Sequence, residues 1–183
     1  SLSGFNTYDT SNAYIDNTYG GYYSWYTATA GTGTQSMSSG NTSVSICPKG
    51  WRLPIGGDNG EFKTLYNNYN SSSALIPNPV NLTLSGYVYN SSRDGQGSGG
   101  FYWSSTIRSS DHAYDLFLGG AIVSPAGINS KQYGISVRCI AEDETRTIYD
   151  LANMQEMHPS ICINATTPNR TATQLDTDGS HHG

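Results

Sequence analysis

A short string of the sequence, Ser109-Ser110-Asp111-His112, contains the three side-chain types of a serine hydrolase. In those enzymes a histidine accepts the proton of a serine hydroxyl, and a carboxylate orients the imidazole. The string lies in one predicted loop and lacks the Gly-x-Ser-x-Gly context that exposes a nucleophile at a strand-to-helix turn. The sequence therefore predicts no catalytic residues, and we expect that the protein is not an enzyme.

Metal and cofactor sites have no support from residue spacing either. Residues 95–100 are rich in glycine, but no Lys-Ser/Thr pair follows, so they predict a turn and not a phosphate-binding loop. Cys47, Cys139 and Cys162 include no C-x-x-C pair, and zinc is not expected. We predict no bound metal and no cofactor. One disulfide with one cysteine left over is the simplest arrangement, and buried unpaired thiols are the alternative.

The overall composition excludes several classes of protein. The chain has 183 residues, of which 13% are charged, and its net charge is −5. Nine Lys and Arg residues are too few for a nucleic-acid surface. No apolar run approaches the roughly 18 residues of a membrane-spanning helix. Aromatic residues make up 11%, which argues for a folded chain and against disorder.

Uncharged polar residues take the place of the missing charges. The chain contains 25 Ser, 18 Thr and 15 Asn, together with 21 Gly and 14 Tyr. Tyr, Ser, Gly and Asn are enriched in binding loops, where Tyr supplies rigid contact area and the others supply adaptable hydrogen bonds. The composition favours a binding surface and an ordinary extracellular β protein about equally. Few charges and a predicted disulfide favour an extracellular or cell-surface location.

The elements that would position a site are mostly strands. Residues 21–28 predict a strand or an extended loop, and residues 70–80 predict irregular structure because Pro77 and Pro79 interrupt them. Further strands are predicted at 81–89, 101–106, 113–118, 121–124 and 134–140. Gly119-Gly120 predicts a hairpin, and Pro125 predicts the end of its return strand.

One amphipathic helix is predicted after the first cysteine. Phe62, Leu65, Tyr66 and Tyr69 recur at the spacing of a single helical face. Asp58 or Asn59 is the expected N-cap residue.

Four blocks of the sequence, in their order and spacing, resemble the Fibrobacter succinogenes major paralogous domain family over roughly residues 15–141. Residues 101–140 are also similar to the variable proteins of diversity-generating retroelements, which display hypervariable residues on a C-type lectin scaffold. The blocks are Cys47-Pro48-Lys49-Gly50-Trp51-Arg52-Leu53-Pro54, Tyr102-Trp103-Ser104-Ser105-Thr106, Ala113-Tyr114-Asp115-Leu116 and Gly134-Ile135-Ser136-Val137-Arg138-Cys139.

The resemblance implies an α+β chain with a C-type lectin-like fold, made mostly of antiparallel strands and loops with one or two helices. It implies that a disulfide between Cys47 and Cys139 joins the strand before the helix to the last strand. Four further scaffold positions follow from it. They are Trp51 and Trp103 as apolar anchors, Leu53 at the entry to the helix, and Arg138 in a buried ion pair or carbonyl contacts.

The chemistries associated with such folds are not expected in this chain. The string Ile76-Pro77-Asn78-Pro79 lacks the carboxylate of a calcium-dependent sugar motif, and Asp111 and Asp115 are too few for a calcium site. The redox cysteine pair of formylglycine-generating enzymes is missing, because Cys47 and Cys139 belong to the scaffold.

We therefore expect a non-enzymatic binding or adhesion module of a secreted or surface-attached microbial protein, which displays a variable surface. Its ligand would be a protein or a glycan on another cell or surface. Tyr102 and Trp103 would support this surface from below. The positions expected to contact the ligand are Ile107, Arg108, Asp111, His112, Asp115, Phe117, Ala121, Ser124, Ile128, Gln132 and Tyr133.

The sequence after residue 141 predicts a separate part. The chain is expected to divide into a C-type lectin-like domain at 1–141, which lacks its first strand, and a helix plus extended tail or linker at 142–183. The tail resembles the segment that precedes the domain in related surface proteins. The alternative function is therefore a structural subunit that self-associates through residues 145–178 into a repeat array or filament. A disordered linker is the simpler interpretation of the same residues.

Overall fold

The computed structural model describes Phe5 and residues 12–142. Internal contacts divide the chain into two units, Ser1–Ala141 and Glu142–Gly183, and the description below concerns the first. The predicted tail helix, residues 145–178 and Cys162 lie outside the described residues.

The described residues form an α+β fold in which short antiparallel strands predominate and three short helices are present. Four sheets pair β1 with β2, β4 with β10, β5 with β6, and β3-β7-β8-β9 in that order. The strands are β1 (Ala13–Asp16), β2 (Gly20–Tyr23), β3 (Gly40–Asn41), β4 (Trp51–Arg52), β5 (Tyr87–Tyr89), β6 (Ser92–Asp94), β7 (Gly99–Ile107), β8 (His112–Gly119), β9 (Ile122–Ser130) and β10 (Ile140–Ala141). The helices are α1 (Trp25–Ala28), α2 (Glu61–Asn68) and α3 (Ser72–Leu75).

The largest sheet confirms the predicted strands at 101–106 and 113–118 and the hairpin after them. Pro125 does not end the return strand, which continues to Ser130. The pairing shifts there, because Phe117 faces Ser124 while Asp115 faces Gly127. Proline is tolerated at such a bulge on an edge strand, where its missing N–H leaves no ladder bond unmade.

The helices follow the sequence only in part. Helix α2 confirms the predicted amphipathic helix, but its N-cap is Gly60 and neither Asp58 nor Asn59. Helix α1 lies where a strand or an extended loop was predicted, and the Ser24 hydroxyl caps it by accepting a hydrogen bond from the Thr27 N–H at 3.2 Å. Helix α3 lies in the segment that was predicted to be irregular.

Two predicted strands are largely absent from the described residues. Within 81–89 only β5 is a strand, and within 134–140 only Ile140 belongs to one. Residues 134–136 instead make single bridges to Val88, Tyr23 and Tyr102. This segment therefore connects the small sheets to the large one, which explains why its apolar residues resemble a strand.

The core lies on both faces of the large sheet. Trp25, Leu53, Trp103, Ile107 and Ile135 pack on one face. Phe62, Leu75, Leu82, Tyr102, Leu116 and Leu118 pack on the other, beneath α2 and α3. Trp103 and Leu53 are therefore buried as predicted, whereas the prediction that Trp51 is a core anchor is wrong, because 48% of it is exposed.

The Cys47–Cys139 disulfide is present, with an S–S distance of 2.07 Å. Arg138 next to it is exposed, and its Nη2 donates to the Val80 carbonyl over 2.9 Å. The predicted carbonyl contact is therefore confirmed, but the predicted burial of Arg138 is wrong. Among the described residues, no helix is long and apolar enough to cross a membrane.

Candidate binding surface

Five aromatic rings in mutual contact form a surface strip, here called the aromatic ladder, made of Tyr89, Tyr133, Tyr87, Phe101 and Phe117. The centroids of Tyr89 and Tyr133 lie 4.5 Å apart, and Tyr133 stacks on Tyr87 at 5.6 Å. Tyr87 meets Phe101 edge-on at 5.6 Å, and Phe101 lies 4.8 Å from Phe117. Tyr89 is 40% exposed, and the other four are half-buried. The ladder thus presents a preformed aromatic strip to its surroundings.

The phenylalanine end of the ladder depends on cross-strand pairing. Phe101 on β7 lies directly opposite Phe117 on β8, so both rings are on one face of the sheet. Gly99 and Gly119 leave room for these rings, since a Cβ on Gly119 would lie 2.9 Å from Phe117 Cζ and one on Gly99 3.2 Å from Phe101 Cε2. Side chains at these two positions would displace the rings.

The tyrosine end is carried by the β5–β6 hairpin. Tyr87 and Tyr89 are two residues apart on β5 and therefore share a face. The turn at Asn90 and Ser91 has positive φ values of 47° and 66°, as a two-residue hairpin turn of this hand requires. The Tyr87 hydroxyl donates to Asp94 Oδ2 at 3.2 Å, and partial burial with the nearby carboxylate raises the pKa of Tyr87.

Tyr133 is positioned by a buried lysine two residues before it. Lys131 Nζ donates to the carbonyls of Ser110, Met37 and Thr34 at 2.8, 3.0 and 3.3 Å. The ammonium also lies 4.8 Å from the centre of the Trp25 ring. Burial lowers the pKa of Lys131. This anchor fixes the chain from which the Tyr133 ring projects into the ladder.

The predicted ligand positions divide into separate groups in the structure. Phe117 and Tyr133 belong to the ladder, and Ser124 is the cross-strand neighbour of Phe117. Ala121 is exposed at the tip of the β8–β9 hairpin, and Gln132 is half-buried beside Tyr133.

A second group of predicted positions lies away from the ladder. Arg108, Ser109, His112 and Ile128 line a shallow depression of about 290 Å³. Asp111 adjoins it, and its Oδ1 accepts from the Ser109 hydroxyl at 3.0 Å. His112 Nδ1 lies 3.4 Å from both that oxygen and the Ser109 hydroxyl. Because one imidazole nitrogen faces both groups, the imidazole does not bridge serine and carboxylate as in a catalytic triad.

Two of the predicted ligand positions are buried, which corrects their assignment to the surface. Ile107 is only 4% exposed and packs in the core with Trp103. Asp115 is completely buried opposite Trp103, where its Oδ2 accepts from Asn129 Nδ2 at 2.8 Å. Burial raises the pKa of Asp115 to about 7. Neither side chain contacts the exterior in this fold.

Sequence reasoning missed three of the five ladder rings, namely Tyr87, Tyr89 and Phe101. The alternation of Tyr87-Val88-Tyr89 was the available signal, since it places two tyrosines on one face of a strand. The sequence could not show that residue 133 joins them, because that contact depends on the bridge between Val88 and Gly134.

Within the described residues, no cluster of three or more His, Cys, Asp or Glu side chains is placed to hold a metal ion. Comparisons of the chain with family models, curated proteins and solved structures give no match. The functional proposals below therefore depend on geometry and chemistry.

Proposed function

We propose that this chain is a non-enzymatic binding or adhesion module, and that it holds a protein ligand through the aromatic ladder. The observation that carries the proposal is the run of five touching rings, half-buried to exposed, drawn from three separate parts of the chain. Tyrosine is enriched at protein interfaces because its large ring has few rotatable bonds, so ordering it on binding costs little entropy.

The polar groups beside the rings suit the same role. Tyr87 is hydrogen-bonded to Asp94, Ser124 adjoins Phe117, and Gln132 adjoins Tyr133. An apolar centre surrounded by polar groups is the usual anatomy of a protein–protein interface. We favour a protein over a glycan ligand for this surface because it is a long strip and not a cleft.

The wider setting of the proposal is a C-type lectin-like fold in a secreted or surface-attached microbial protein. The antiparallel α+β architecture and the Cys47–Cys139 disulfide support it. A disulfide persists in oxidising compartments such as the cell exterior. Variation of the ladder residues among copies of the domain would fit a diversified binding surface.

The test is a binding screen of the full chain against an array of purified extracellular ectodomains. The Tyr89→Ser variant removes the most exposed ring, and Arg108→Ser removes an exposed side chain from the distant depression. We expect an ectodomain that binds the wild type to lose at least tenfold in affinity with Tyr89→Ser and to keep its affinity with Arg108→Ser. The reverse pattern, or no ladder-dependent binding to any ectodomain, would overturn the proposal. Thermal unfolding checks that both variants are folded.

A second candidate function is assembly of copies of the chain through residues 145–178. The observation that favours it is an apolar groove of about 330 Å³ that ends at Ile140, close to where the described chain ends. Its apolar lining includes Phe62, Leu65, Val80, Leu82, Leu116 and Ile140. We propose that the apolar residues at 145–178 of a neighbouring copy occupy this groove.

Light scattering of the full chain tests the assembly candidate. Leu65→Asp places a charge in the groove, while Asn67→Asp places the same charge on an exposed position of the same helix. Assembly that Leu65→Asp abolishes and Asn67→Asp leaves intact supports it. A wild-type chain that stays monomeric at all concentrations rejects it.

A further inference from the structure

A polar cleft of about 460 Å³ lies apart from the aromatic ladder. Its size is within the range of about 300–1,000 Å³ that is typical of small-molecule sites. Three segments and the Tyr102 ring enclose it. They are the β1–β2 hairpin with Tyr19 and Tyr23, residues 81–83, and residues 136–138.

The floor of the cleft is fixed by hydrogen bonds around one tyrosine. The Tyr102 hydroxyl accepts from the Thr83 N–H at 2.6 Å and donates to the Thr83 carbonyl at 2.8 Å. Thr83 Oγ1 lies 3.0 Å from the same hydroxyl. Nearby, the hydroxyls of Ser136 and Ser85 are hydrogen-bonded at 2.8 Å. The floor is therefore rigid and polar before any ligand binds.

The hairpin wall is held in shape by Asp16. Its Oδ1 accepts from the N–H groups of Thr18 and Tyr19 at 2.8 and 2.9 Å, and its Oδ2 pairs with Arg93. These partners satisfy the carboxylate, so it stabilises the hairpin and is not left as a bare negative charge. Gly21 lets the Tyr23 ring fold over the backbone, since a Cβ there would lie 2.5 Å from the Tyr23 hydroxyl.

The opposite wall supplies a positive charge and an amide. Arg138 Nη2 donates to the Val80 carbonyl at 2.9 Å, which positions an exposed guanidinium that has five donors in all. Asn81 is exposed with a φ of 55°, a left-handed conformation that asparagine tolerates better than most residues. The rim therefore combines a cation with a neutral group that both donates and accepts.

We infer that this cleft binds an acidic sugar, that is, a hydroxylated ring the size of a hexose that carries a carboxylate. Ring hydroxyls need partners that donate and accept, and Tyr19, Tyr23, Thr83 and Asn81 supply both. The tyrosine rings cover the apolar face of such a ring. Arg138 recognises the carboxylate, for which its planar fork of donors is well suited.

Isothermal titration of the full chain with D-galacturonate and with D-glucuronate tests the assignment, with methyl D-galacturonate as the uncharged counterpart. We expect saturable binding of at least one acid and binding of the ester at least tenfold weaker, because the ester cannot form the charge-assisted bonds to Arg138. Trigalacturonate distinguishes the source of the ligand. Tighter binding of the trimer indicates a polymer, and equal binding indicates a free acidic sugar.

Two variants locate the site. Arg138→Gln should weaken binding of the acid roughly 10- to 100-fold while affecting the ester less. Asn81→Gly retains the left-handed backbone and should weaken acid and ester alike. Arg108→Gln is the matched control at a distant exposed arginine and should change neither affinity. Absence of saturable binding of both acids overturns the inference, and so does binding that neither Arg138→Gln nor Asn81→Gly alters.

Discussion

Asn129 Nδ2 donates a hydrogen bond of 2.8 Å to Asp115 Oδ2 at a point where the carboxyl is completely buried. Asp115 Oδ1 has no hydrogen-bond partner in the described part of the chain. Gly127 on the edge strand passes so close that a Cβ there would lie 2.4 Å from this oxygen. Burial raises the pKa of Asp115 to about 7 from its ordinary value of 3.8. The folded state therefore holds this proton more tightly than the unfolded chain does.

This proton makes stability depend on pH. Between the unfolded pKa of about 3.8 and the folded value of about 7, the native state binds more protons than the unfolded state. The stabilisation present near pH 4 is therefore lost as the pH rises through 7. We expect Asp115→Asn to remove this slope and to raise the free energy of unfolding at pH 8 by on the order of 2–4 kcal/mol. Urea unfolding at pH 5, 6.5 and 8 measures it.

The control for this prediction is Asp58→Asn, which makes the same change at an exposed position. It should leave the slope of the wild type in place. The amide of Asp115→Asn can pair with Asn129 after rotation of the Asn129 side chain, so the variant is expected to fold. A variant that retains the wild-type pH dependence contradicts the buried-proton explanation.

Removal of the Lys131 ammonium is expected to be costly. Three carbonyls, from Thr34, Met37 and Ser110, accept hydrogen bonds from it, and the indole of Trp25 lies beneath it. Lys131→Met fills the space but leaves these carbonyls without their donor, so we predict a loss of roughly 2–4 kcal/mol. Denaturant unfolding of the variant at neutral pH gives the value.

Lys63→Met is the matched control for the lysine variant. Lys63 also lies over an aromatic ring, Tyr66, at 4.8 Å, but it is only half-buried on α2. Its replacement should change stability by less than about 1 kcal/mol. Equal losses in the two variants would show that the carbonyl cluster contributes nothing.

Local periodicity was sufficient to predict the elements whose burial repeats regularly. Helix α2 and strands β7 and β8 are of this kind, because each buries a face that the sequence spells out residue by residue. Residues 134–136 show the limit of that signal. Their apolar side chains are buried by bridges to three other segments, and a sequence pattern cannot distinguish such a link from a strand.

The predicted binding surface was least accurate where burial depends on the neighbouring strand. Asp115 was expected at the surface because aspartate is usually exposed. It is buried because residues 113, 115 and 117 share the face of β8 that Trp103 covers from β7. Trp51 is exposed for a comparable reason, since the two-residue pair β4–β10 lies at the periphery and offers no second layer to cover it.

The Cys47–Cys139 disulfide is expected to contribute substantially to stability. It closes a loop of 92 residues that includes both helices α2 and α3 and most of the large sheet. The chain-entropy relation gives about 4 kcal/mol for a loop of this length. The Cys47→Ser/Cys139→Ser variant should lose roughly that free energy of unfolding, measured with urea, whereas Cys162→Ser should not. A double variant as stable as the wild type would show that the unfolded chain gains little freedom from the break.

The ion pair between Arg52 and Glu61 gives a prediction whose sign is opposite to that of Asp115. Arg52 Nη1 and Nη2 lie 2.7 and 2.5 Å from the two Glu61 oxygens, and the Ile55 N–H donates to Oε2 at 2.7 Å. These bonds, chiefly those from Arg52, lower the pKa of Glu61. The stabilisation is therefore present above the ordinary pKa of 4.5 and is lost as the pH falls through the lower folded value.

Replacement of Glu61 by Gln tests this pair. Both side chains are about one third exposed, so solvent screening limits the expected loss to roughly 1 kcal/mol at pH 7. At pH 3 the wild-type carboxyl is largely protonated, and Glu61→Gln and the wild type should then unfold at nearly the same urea concentration. Added salt should also narrow the difference at pH 7, because screening weakens the ion pair. An equal loss at both pH values would assign the effect to packing of the side chain and not to its charge.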